Sequence, residues 1–340
     1  MRKVITAIAL AAGFAGAATS ASAQATLEKI KQRGNIVCGT SQGVPGFSMS
    51  DDKGKWVGFD TDMCRALSAV IFDNPDKADY ISLSSKDRLI ALQSGTIDVL
   101  ARTTTWSSSR DSGQGVIFTA INFYDGQGFL VKKSSGIKSG KDLNGATICV
   151  SQGTTNELNL ADFSRTNNIK FQIVTFGDTN ETGKGYESGR CDVYTTDRSQ
   201  LVANRLKFAN PDEHMLLPDV ISKEPLGAWV RRGDEQWFTL VRWTLFAMLL
   251  AEEHGVTQAN VEEMAKTSQN PDVKRLLGAE GNTGEQLGVS KDWAVRIIKH
   301  VGNYGESFDR HLGPKTRIGL DRGVNKLWNQ GGLQYAPPIR

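Results

Sequence analysis

The residues best suited to chemistry lie in a hydroxyl-rich segment with an arginine at each end, Arg102 and Arg110. Between them stand Ser and Thr side chains, among them Thr103 and Thr105. A guanidinium presents a rigid fork of donors that matches a carboxylate in two places, and hydroxyls add donors and acceptors. Because the segment follows the apolar run 97–100, we expect a loop at the end of a buried strand, where a small anion or zwitterion could bind. A solvated turn is the simpler alternative.

Three other segments could complete such a site, since each follows a predicted strand. Thr154 and Thr155 open a helix, where exposed amides favour anions. Asp197 could pair with an ammonium group, and Ser41 lies in a loop with two glycines that could approach a ligand closely. For the threonines and the aspartate, a plain helix N-cap is the alternative. Together, Arg110 and the Thr155 amide are suited to a carboxylate and Asp197 to an ammonium, which is the pattern of an α-amino acid.

The elements that must position these residues alternate between short apolar strands and amphipathic helices. This alternation predicts an α/β fold in which mixed, mainly parallel sheets are flanked by helices. The rhythm restarts after 129–133, and from residue 235 the pattern is largely helical. We therefore predict a first lobe formed by 24–131 and 226–340, and a second lobe inserted at 132–225. Two backbone crossings would join the lobes, and ligand sites are common at such interfaces.

The N-terminus predicts export. Arg2 and Lys3 precede a short apolar run, and Ala21-Ser22-Ala23 forms a small-residue cleavage pattern, so residues 1–23 are predicted to be a cleavable signal peptide that directs the chain to the periplasm. Removing them takes two cations and no acid from a chain of net charge +3. A nearly neutral remainder argues against nucleic-acid or membrane-surface partners. No later apolar stretch reaches the length of a membrane helix, so no membrane insertion is expected.

The four cysteines, Cys38, Cys64, Cys149 and Cys191, favour disulfides in an exported chain. Of three possible pairings we prefer Cys38–Cys64 and Cys149–Cys191, because each pair stays within one predicted lobe. Four buried thiols are the alternative. No C-x-x-C spacing occurs and the four histidines are scattered, so neither a metal site nor a cofactor is predicted.

Two rival motifs are weak. The segment 39–43 matches the G-x-S-x-G nucleophile pattern by letter, but a hydrolase also needs an Asp and a His placed after it, and glycine-rich turns match five letters easily. The segment 177–184 has five residues between its glycines and a glycine after Lys184. A phosphate-binding loop requires four residues and a Ser or Thr, so this reading is rejected.

Five motifs in order resemble the polar amino-acid family of periplasmic substrate-binding proteins, which serve ABC importers. These motifs are 58–62 (GFDTD), 92–98 (LQSGTID), the 102–110 segment, 124–128 (YDGQG) and 152–155 (QGTT). Three further stretches resemble the general L-amino-acid branch, which includes binders of glutamate, glutamine, aspartate and asparagine: 189–197, 302–306 and 331–338.

The resemblance implies a class II two-lobed fold, ligand capture by closure of the lobes, an ABC permease as partner, a monomer and no catalysis. It also assigns Arg110 and Thr155 to the α-carboxylate and Asp197 to the α-ammonium. A chemoreceptor is a further possible partner. Dehydratases that act on prephenate-like acids resemble the same scaffold, and they would need a general acid in the cleft.

One departure bears on specificity. Many relatives carry an acid or a stacking aromatic after the first strand, where this chain has 41–44 (SQGV). Arg102 instead adds a second cation near the site. We hypothesise that Arg102 favours side chains that end in a carboxylate or a carboxamide, while a structural ion pair is the alternative role for it.

Overall fold

The computed structural model describes residues 25–340, and the predicted signal peptide at 1–23 lies outside them. The strands are β1 Ile36–Thr40, β2 Met49–Ser50, β3 Trp56–Val57, β4 Ala78–Ser82, β5 Val99–Thr105, β6 Val116–Asp125, β7 Gln127–Lys132, β8 Thr147–Ser151, β9 Gln172–Phe176, β10 Val193–Asp197, β11 His214–Leu216 and β12 Glu224–Arg231. The helices are α1 Thr26–Arg33, α2 Phe59–Phe72, α3 Arg88–Gln93, α4 Ser108–Gly113, α5 Thr155–Asn167, α6 Thr179–Glu187, α7 Arg198–Arg205, α8 Glu235–Glu253, α9 Val261–Thr267, α10 Pro271–Leu276, α11 Thr283–Gln286, α12 Trp293–Val301 and α13 Tyr304–His311. Within 25–340, none of these helices is long and apolar enough to cross a bilayer.

Two five-stranded sheets organise the molecule. The first has the order β4-β1-β5-β12-β6, with β4, β1 and β5 parallel and β12 antiparallel to both of its neighbours. The second has the order β11-β7-β10-β8-β9, with β10, β8 and β9 parallel and β7 antiparallel to β10 and β11. The predicted α/β class with mixed sheets is confirmed, and each sheet has its own apolar core.

Two short crossings connect the sheets. The chain leaves the first sheet at the end of β6 and enters the second at β7, and it returns through β12. Because β7 pairs with β10, residues 127–131 belong with the second sheet and not with the first lobe, to which the sequence pattern assigned them. The lobe boundaries remain a prediction, and we propose to move the first crossing to Gly126.

The C-terminal helices widen the core of the first lobe. Helix α8 begins where the helical pattern from residue 235 predicts it. It buries an apolar stripe that begins at Trp237 against the first sheet, with Trp243 only half-buried. The Trp237 Nε1–H donates to the Asp98 carbonyl at 2.9 Å, so the largest side chain of the stripe also satisfies its polar atom. This packing fixes the first sheet as a rigid support for the residues at its strand ends.

Both predicted disulfides form. Cys38 of β1 pairs with Cys64 of α2 across 26 residues, and Cys149 of β8 pairs with Cys191 across 42 residues. The Cα–Cα separations of 6.3 and 5.6 Å lie within the usual range for a disulfide. Each bridge stays on one side of the two crossings, which leaves movement of one sheet relative to the other unrestricted by covalent bonds between side chains.

Candidate functional site

A small polar cavity lies where the strand ends of the two sheets face each other. Every side chain that lines it carries a polar group. From the first sheet and α3 come Ser85, Arg88, Arg102, Thr103 and Thr105, and from the other side come Ser151, Thr154, Thr155, Asn156, Thr179, Thr196, Asp197 and Gln200. Six of the eight predicted contact residues therefore meet at one cavity, although they are spread over about a hundred residues of sequence.

A larger groove lies on the outer face of the first sheet, beside the stacked rings of Trp56 and Tyr80. It is wide open, and two of its charged residues, Lys55 and Asp76, are paired with each other at 3.0 Å. The smaller cavity is the better candidate for a ligand because its charges are buried and lack such partners.

The hydroxyl-rich segment reaches the cavity as a strand, so the predicted loop at 102–105 is wrong. β5 continues through Thr105, with Thr104 and Thr105 paired to Gly227 and Leu226 of β12. Threonine is β-branched and favours strands, and the partner strand lies more than a hundred residues further along the chain, so the local pattern of hydroxyls and arginines misled the prediction.

Thr103 interrupts this strand with a left-handed backbone, φ +36°. A β-branched residue rarely adopts this conformation, and it costs on the order of 1–3 kcal/mol. The buried carboxylate of Asp60 accepts the Thr103 N–H at 2.9 Å and so holds the bend. Burial raises the pKa of Asp60 to about 7, while the Thr103 hydrogen bond and the charge of Arg102 act in the opposite direction. The bend turns the end of β5 so that residues on both sides of it line the cavity.

Three buried arginines lie at the cavity wall or behind it: Arg88, Arg102 and Arg110. Among residues 25–340, no carboxylate oxygen lies within 4.0 Å of any of their nitrogens. Arg102 donates through Nε to the Leu83 carbonyl at 2.9 Å and through Nη2 to Ser85 Oγ at 3.1 Å. Arg102 thus lines the cavity and is not part of a structural ion pair. Burial lowers its pKa to about 10.

Arg88 is the most exceptional of the three. It is 3 % exposed, and among residues 25–340 its buried Nε has no hydrogen-bond partner, while Nη2 donates to the Gly153 carbonyl at 3.5 Å. Burial and the charges of Arg110 and Arg102 lower its pKa. A buried guanidinium with unused donors is costly unless an anion occupies the space in front of it. The residue therefore indicates an anionic group in the ligand.

Arg110 and Ser41 do not line the cavity. Arg110 is buried directly behind it, where Nη1 donates to the Thr105 carbonyl at 2.9 Å, and the charges of Glu224 and Asp197 offset the lowering of its pKa by burial. The Ser41 hydroxyl lies 2.6 Å from Ser48 Oγ inside its own loop. Ser41 is therefore excluded from the contacts that we propose.

Helix α5 begins at the opposite wall. Thr154 is its N-cap: the hydroxyl oxygen accepts the Glu157 N–H at 3.2 Å, as the plain capping alternative predicts. Thr155 is the first helical residue, and its hydroxyl donates to Glu224 at 2.9 Å. The first amides of a helix have no intrahelical acceptor, and they carry the positive end of the helix dipole. The wall can therefore hold a carboxylate through backbone amides.

Asp197 supplies the negative charge. It precedes α7, but its side chain does not cap that helix. Its oxygens accept instead from Asn156 Nδ2 at 3.0 Å and from Gln200 Nε2 at 2.6 Å. Burial and the neighbouring charges of Glu224 and Asp125 raise its pKa well above the ordinary value. A cation placed beside Asp197 would stabilise its ionised form and lower this pKa, so one end of the cavity suits an ammonium group.

The sequence analysis missed Arg88 and Glu224. Arg88 does leave a signal, because it stands four residues before Leu92 on the buried face of α3, where a cation is unusual. Glu224 leaves none: it is 1 % exposed, and its partners Thr105 and Thr155 are 119 and 69 residues away. The carboxylate bridges the two sides of the cavity at the second crossing.

Comparisons with known proteins agree with this architecture. Residues 36–258 match the family model of bacterial extracellular solute-binding proteins, family 3. The chain is 49% identical over 342 residues to the General L-amino acid-binding periplasmic protein AapJ of Rhizobium johnstonii, with 100% of both chains covered. It is 47% identical to the Glutamate/glutamine/aspartate/asparagine-binding protein BztA of Rhodobacter capsulatus, with 98% of this chain and 97% of the relative covered.

A solved structure of an ABC transporter / periplasmic binding protein from Brucella ovis with glutathione bound is 52% identical and superposes with a TM-score of 0.91, covering 93% of this chain and 99% of the other. The two sheets with a polar cavity between them thus form the two-lobed fold of periplasmic binding proteins. With the family model matched over most of its length, this chain belongs to the bacterial extracellular solute-binding proteins, family 3.

Proposed function

We propose that this protein captures L-amino acids with acidic or amide side chains (Glu, Gln, Asp and Asn) between its lobes and delivers them to an ABC permease. The observation that carries the proposal is the charge arrangement of one small cavity. Among the described residues, the buried arginines toward one end have no carboxylate partner, and a buried carboxyl group with a raised pKa stands at the other end. An amino acid with an acidic side chain brings two carboxylates and one ammonium, which matches both ends.

The α-amino acid head would bind between the lobes. The α-carboxylate would take the amides at the start of α5 near Thr155, with Arg110 behind Thr105 adding positive charge. The α-ammonium would pair with Asp197, whose pKa burial and the charges of Glu224 and Asp125 raise. Each of these groups lies on a rigid strand or helix end, so the head of any L-amino acid would meet the same contacts.

The side chain would determine the preference. Arg88 and Arg102 both line the cavity, and Arg88 has an unused buried donor. A carboxylate or a carboxamide oxygen satisfies such donors, whereas an aliphatic side chain leaves them unpaired at a cost of about 1–3 kcal/mol for each group. Arg88 and Arg102 together would therefore select the ligand side chain, a role that the sequence suggested for Arg102 alone.

The names of the relatives support this class of ligand. One relative is named for glutamate, glutamine, aspartate and asparagine, and another for L-amino acids in general. The Brucella protein holds glutathione, whose γ-glutamyl end carries a free α-amino acid head. Glutathione therefore belongs in the ligand panel beside the amino acids.

Transport would depend on closure around the ligand. Side chains already meet across the cavity, with Thr105 Oγ1 and Thr155 Oγ1 3.3 Å apart. Hinge motion at the two crossings would open this contact and admit the ligand. We propose that the closed monomer is recognised by the permease at the membrane, in the periplasm, and that the protein carries out no chemical step on its ligand.

One feature favours a test for catalysis as well. Burial and the charges of Glu224 and Asp125 shift the pKa of Asp197 upward, which is the direction that a general acid needs. A dehydratase acting on a prephenate-like acid would use such a group. Incubation of purified protein with prephenate, followed by ultraviolet detection of the aromatic product, tests this alternative, and turnover above a heat-denatured control would favour an enzyme.

The proposed function is tested by calorimetric titration of ligand-stripped protein with the twenty L-amino acids and glutathione. Stripping by unfolding and refolding removes ligand that copurifies. One-to-one binding led by Glu, Gln, Asp or Asn supports the proposal. Equally tight binding of Leu or Val would retain amino-acid capture and reject the arginine-based preference. No binding of any amino acid would refute the proposed function.

A further inference from the structure

Glu224 lies behind the cavity wall and is held by four side chains. Its Oε2 accepts from the Thr105 hydroxyl at 2.6 Å and from the Thr155 hydroxyl at 2.9 Å. Its Oε1 accepts from Ser222 Oγ at 2.6 Å and from Asn159 Nδ2 at 2.9 Å. Glu224 itself does not line the cavity, but two of its four partners do.

The direction of these hydrogen bonds determines what the cavity wall offers to a ligand. A threonine hydroxyl has one proton and two lone pairs. Since a carboxylate accepts only, Thr105 and Thr155 both give their protons to Glu224, and their oxygens can present only lone pairs to the cavity. The same two side chains would present donors if Glu224 were replaced by a group that itself donates.

We propose that Glu224 is a positioning residue that makes Thr105 and Thr155 acceptors, and thereby selects ligands with a protonated α-amino group over the corresponding α-hydroxy and α-keto acids. The inference rests on the proposed function and adds a specificity determinant to it. It also assigns the Thr155 hydroxyl to the ammonium side of the ligand, and leaves the α-carboxylate to the Thr155 amide.

The position of Glu224 couples this selection to closure. Thr105 belongs to β5 of the first sheet and Thr155 to α5 on the other side of the cavity. Glu224 begins β12, directly opposite Asp125 in the register of the two strands that carry the crossings. Only when the two sides meet can a single carboxylate oxygen receive both hydroxyl protons, so the acceptor pair is complete only in the closed form.

The variant Glu224→Gln separates this role from simple packing. Ser222 and Asn159 both donate to Oε1, so they hold the amide oxygen there and turn the amide NH₂ toward the threonines. The hydroxyls must then accept from the amide and point their protons into the cavity. The shape of the site is kept, while the polarity of its ammonium end is reversed.

The experiment compares L-glutamate with L-2-hydroxyglutarate on both proteins by displacement calorimetry. A hydrogen bond to a charged group is worth about 1.5–3 kcal/mol, so Glu224→Gln should weaken L-glutamate at least tenfold and up to about a hundredfold. The hydroxy acid can donate or accept at its α-position and should weaken less than threefold. Glu263→Gln, on the exposed face of α9, is the matched control and should leave both affinities unchanged.

An equal loss for both ligands in Glu224→Gln would mean that Glu224 has a structural role only, and would overturn the inference while the proposed function stands. If the wild-type protein binds no amino acid, the proposed function fails first. Should Glu224→Gln not fold, as judged by circular dichroism, Thr155→Val provides the test. It removes one acceptor and should reduce glutamate affinity more than hydroxyglutarate affinity, and equal losses would again overturn the inference.

Discussion

Replacing Arg88 by methionine should weaken glutamate binding and leave the ligand-free protein at least as stable as before. Arg88 is 3 % exposed, has no carboxylate within 4.0 Å in the described part of the chain, and has a buried Nε without a partner. If a ligand carboxylate pairs with the Arg88 guanidinium, removing the guanidinium from this buried charge pair costs about 2–5 kcal/mol of binding free energy. Affinity should then fall by a factor of about 30 to several thousand.

The stability of the ligand-free protein should stay the same or increase in Arg88→Met, although its glutamate affinity falls. A buried cation without a counter-charge opposes folding, and methionine fills a similar volume without a charge. Replacement of buried charges by apolar groups often stabilises a protein by about 1–4 kcal/mol. The free energy of unfolding of ligand-free Arg88→Met, measured by urea denaturation, should therefore equal or exceed that of the wild type.

Arg165→Met is the matched control, because Arg165 lies on the exposed face of α5, away from the cavity, and pairs with the exposed Asp162. Titration calorimetry should find its glutamate affinity unchanged. The reasoning is refuted if Arg88→Met binds glutamate within threefold of the wild type. It is also refuted if the ligand-free variant loses several kcal/mol of stability, since Arg88 would then act as a structural residue.

Three other changes test the site and its support. Burial and the charges of Glu224 and Asp125 raise the pKa of Asp197, so a ligand ammonium that pairs with Asp197 favours loss of the proton from its carboxyl group. Glutamate affinity should therefore rise with pH and level off above that raised pKa. Identical binding heats in buffers of different ionisation enthalpy would contradict this proton release. Arg102→Ala should reduce glutamate affinity and narrow the preference for glutamate over leucine, and an unchanged preference would reject its role. Replacing Cys149 and Cys191 by serine should reduce the free energy of unfolding by about 2–4 kcal/mol, as a closed loop of this length predicts, with urea denaturation as the measurement.

The sequence predicted most elements of the fold because hydrophobic periodicity is a local property. The predicted alternation of strands and helices is present, and helix α8 begins at Glu235, where the helical pattern starts. Disulfide pairing was also predictable, because each cysteine pair lies within one lobe. The end of β5 was not, because its pairing partner is β12, far away in sequence.

The site was predicted only in part, for the same physical reason. Asp197 and Thr155 were found because each follows a strand, and strand ends meet at one edge of a sheet. Arg88 was overlooked because its neighbours in sequence have the pattern of an ordinary helix start, and in the structure Ser84 Oγ accepts the Asp87 N–H at 3.1 Å. Glu224 could not be recognised, since its role depends on hydrogen bonds between segments that only the folded chain brings together.

The order of the disulfides bears on how the protein matures. Both bridges join cysteines that are nearest neighbours in sequence, Cys38 with Cys64 and Cys149 with Cys191. For a chain threaded through a membrane from its N-terminus, an oxidant that joins thiols in their order of arrival forms only native pairs. The first bridge, between β1 and α2, can close before β12 and the C-terminal helices have arrived. Oxidative maturation of this protein should therefore proceed without a disulfide isomerase.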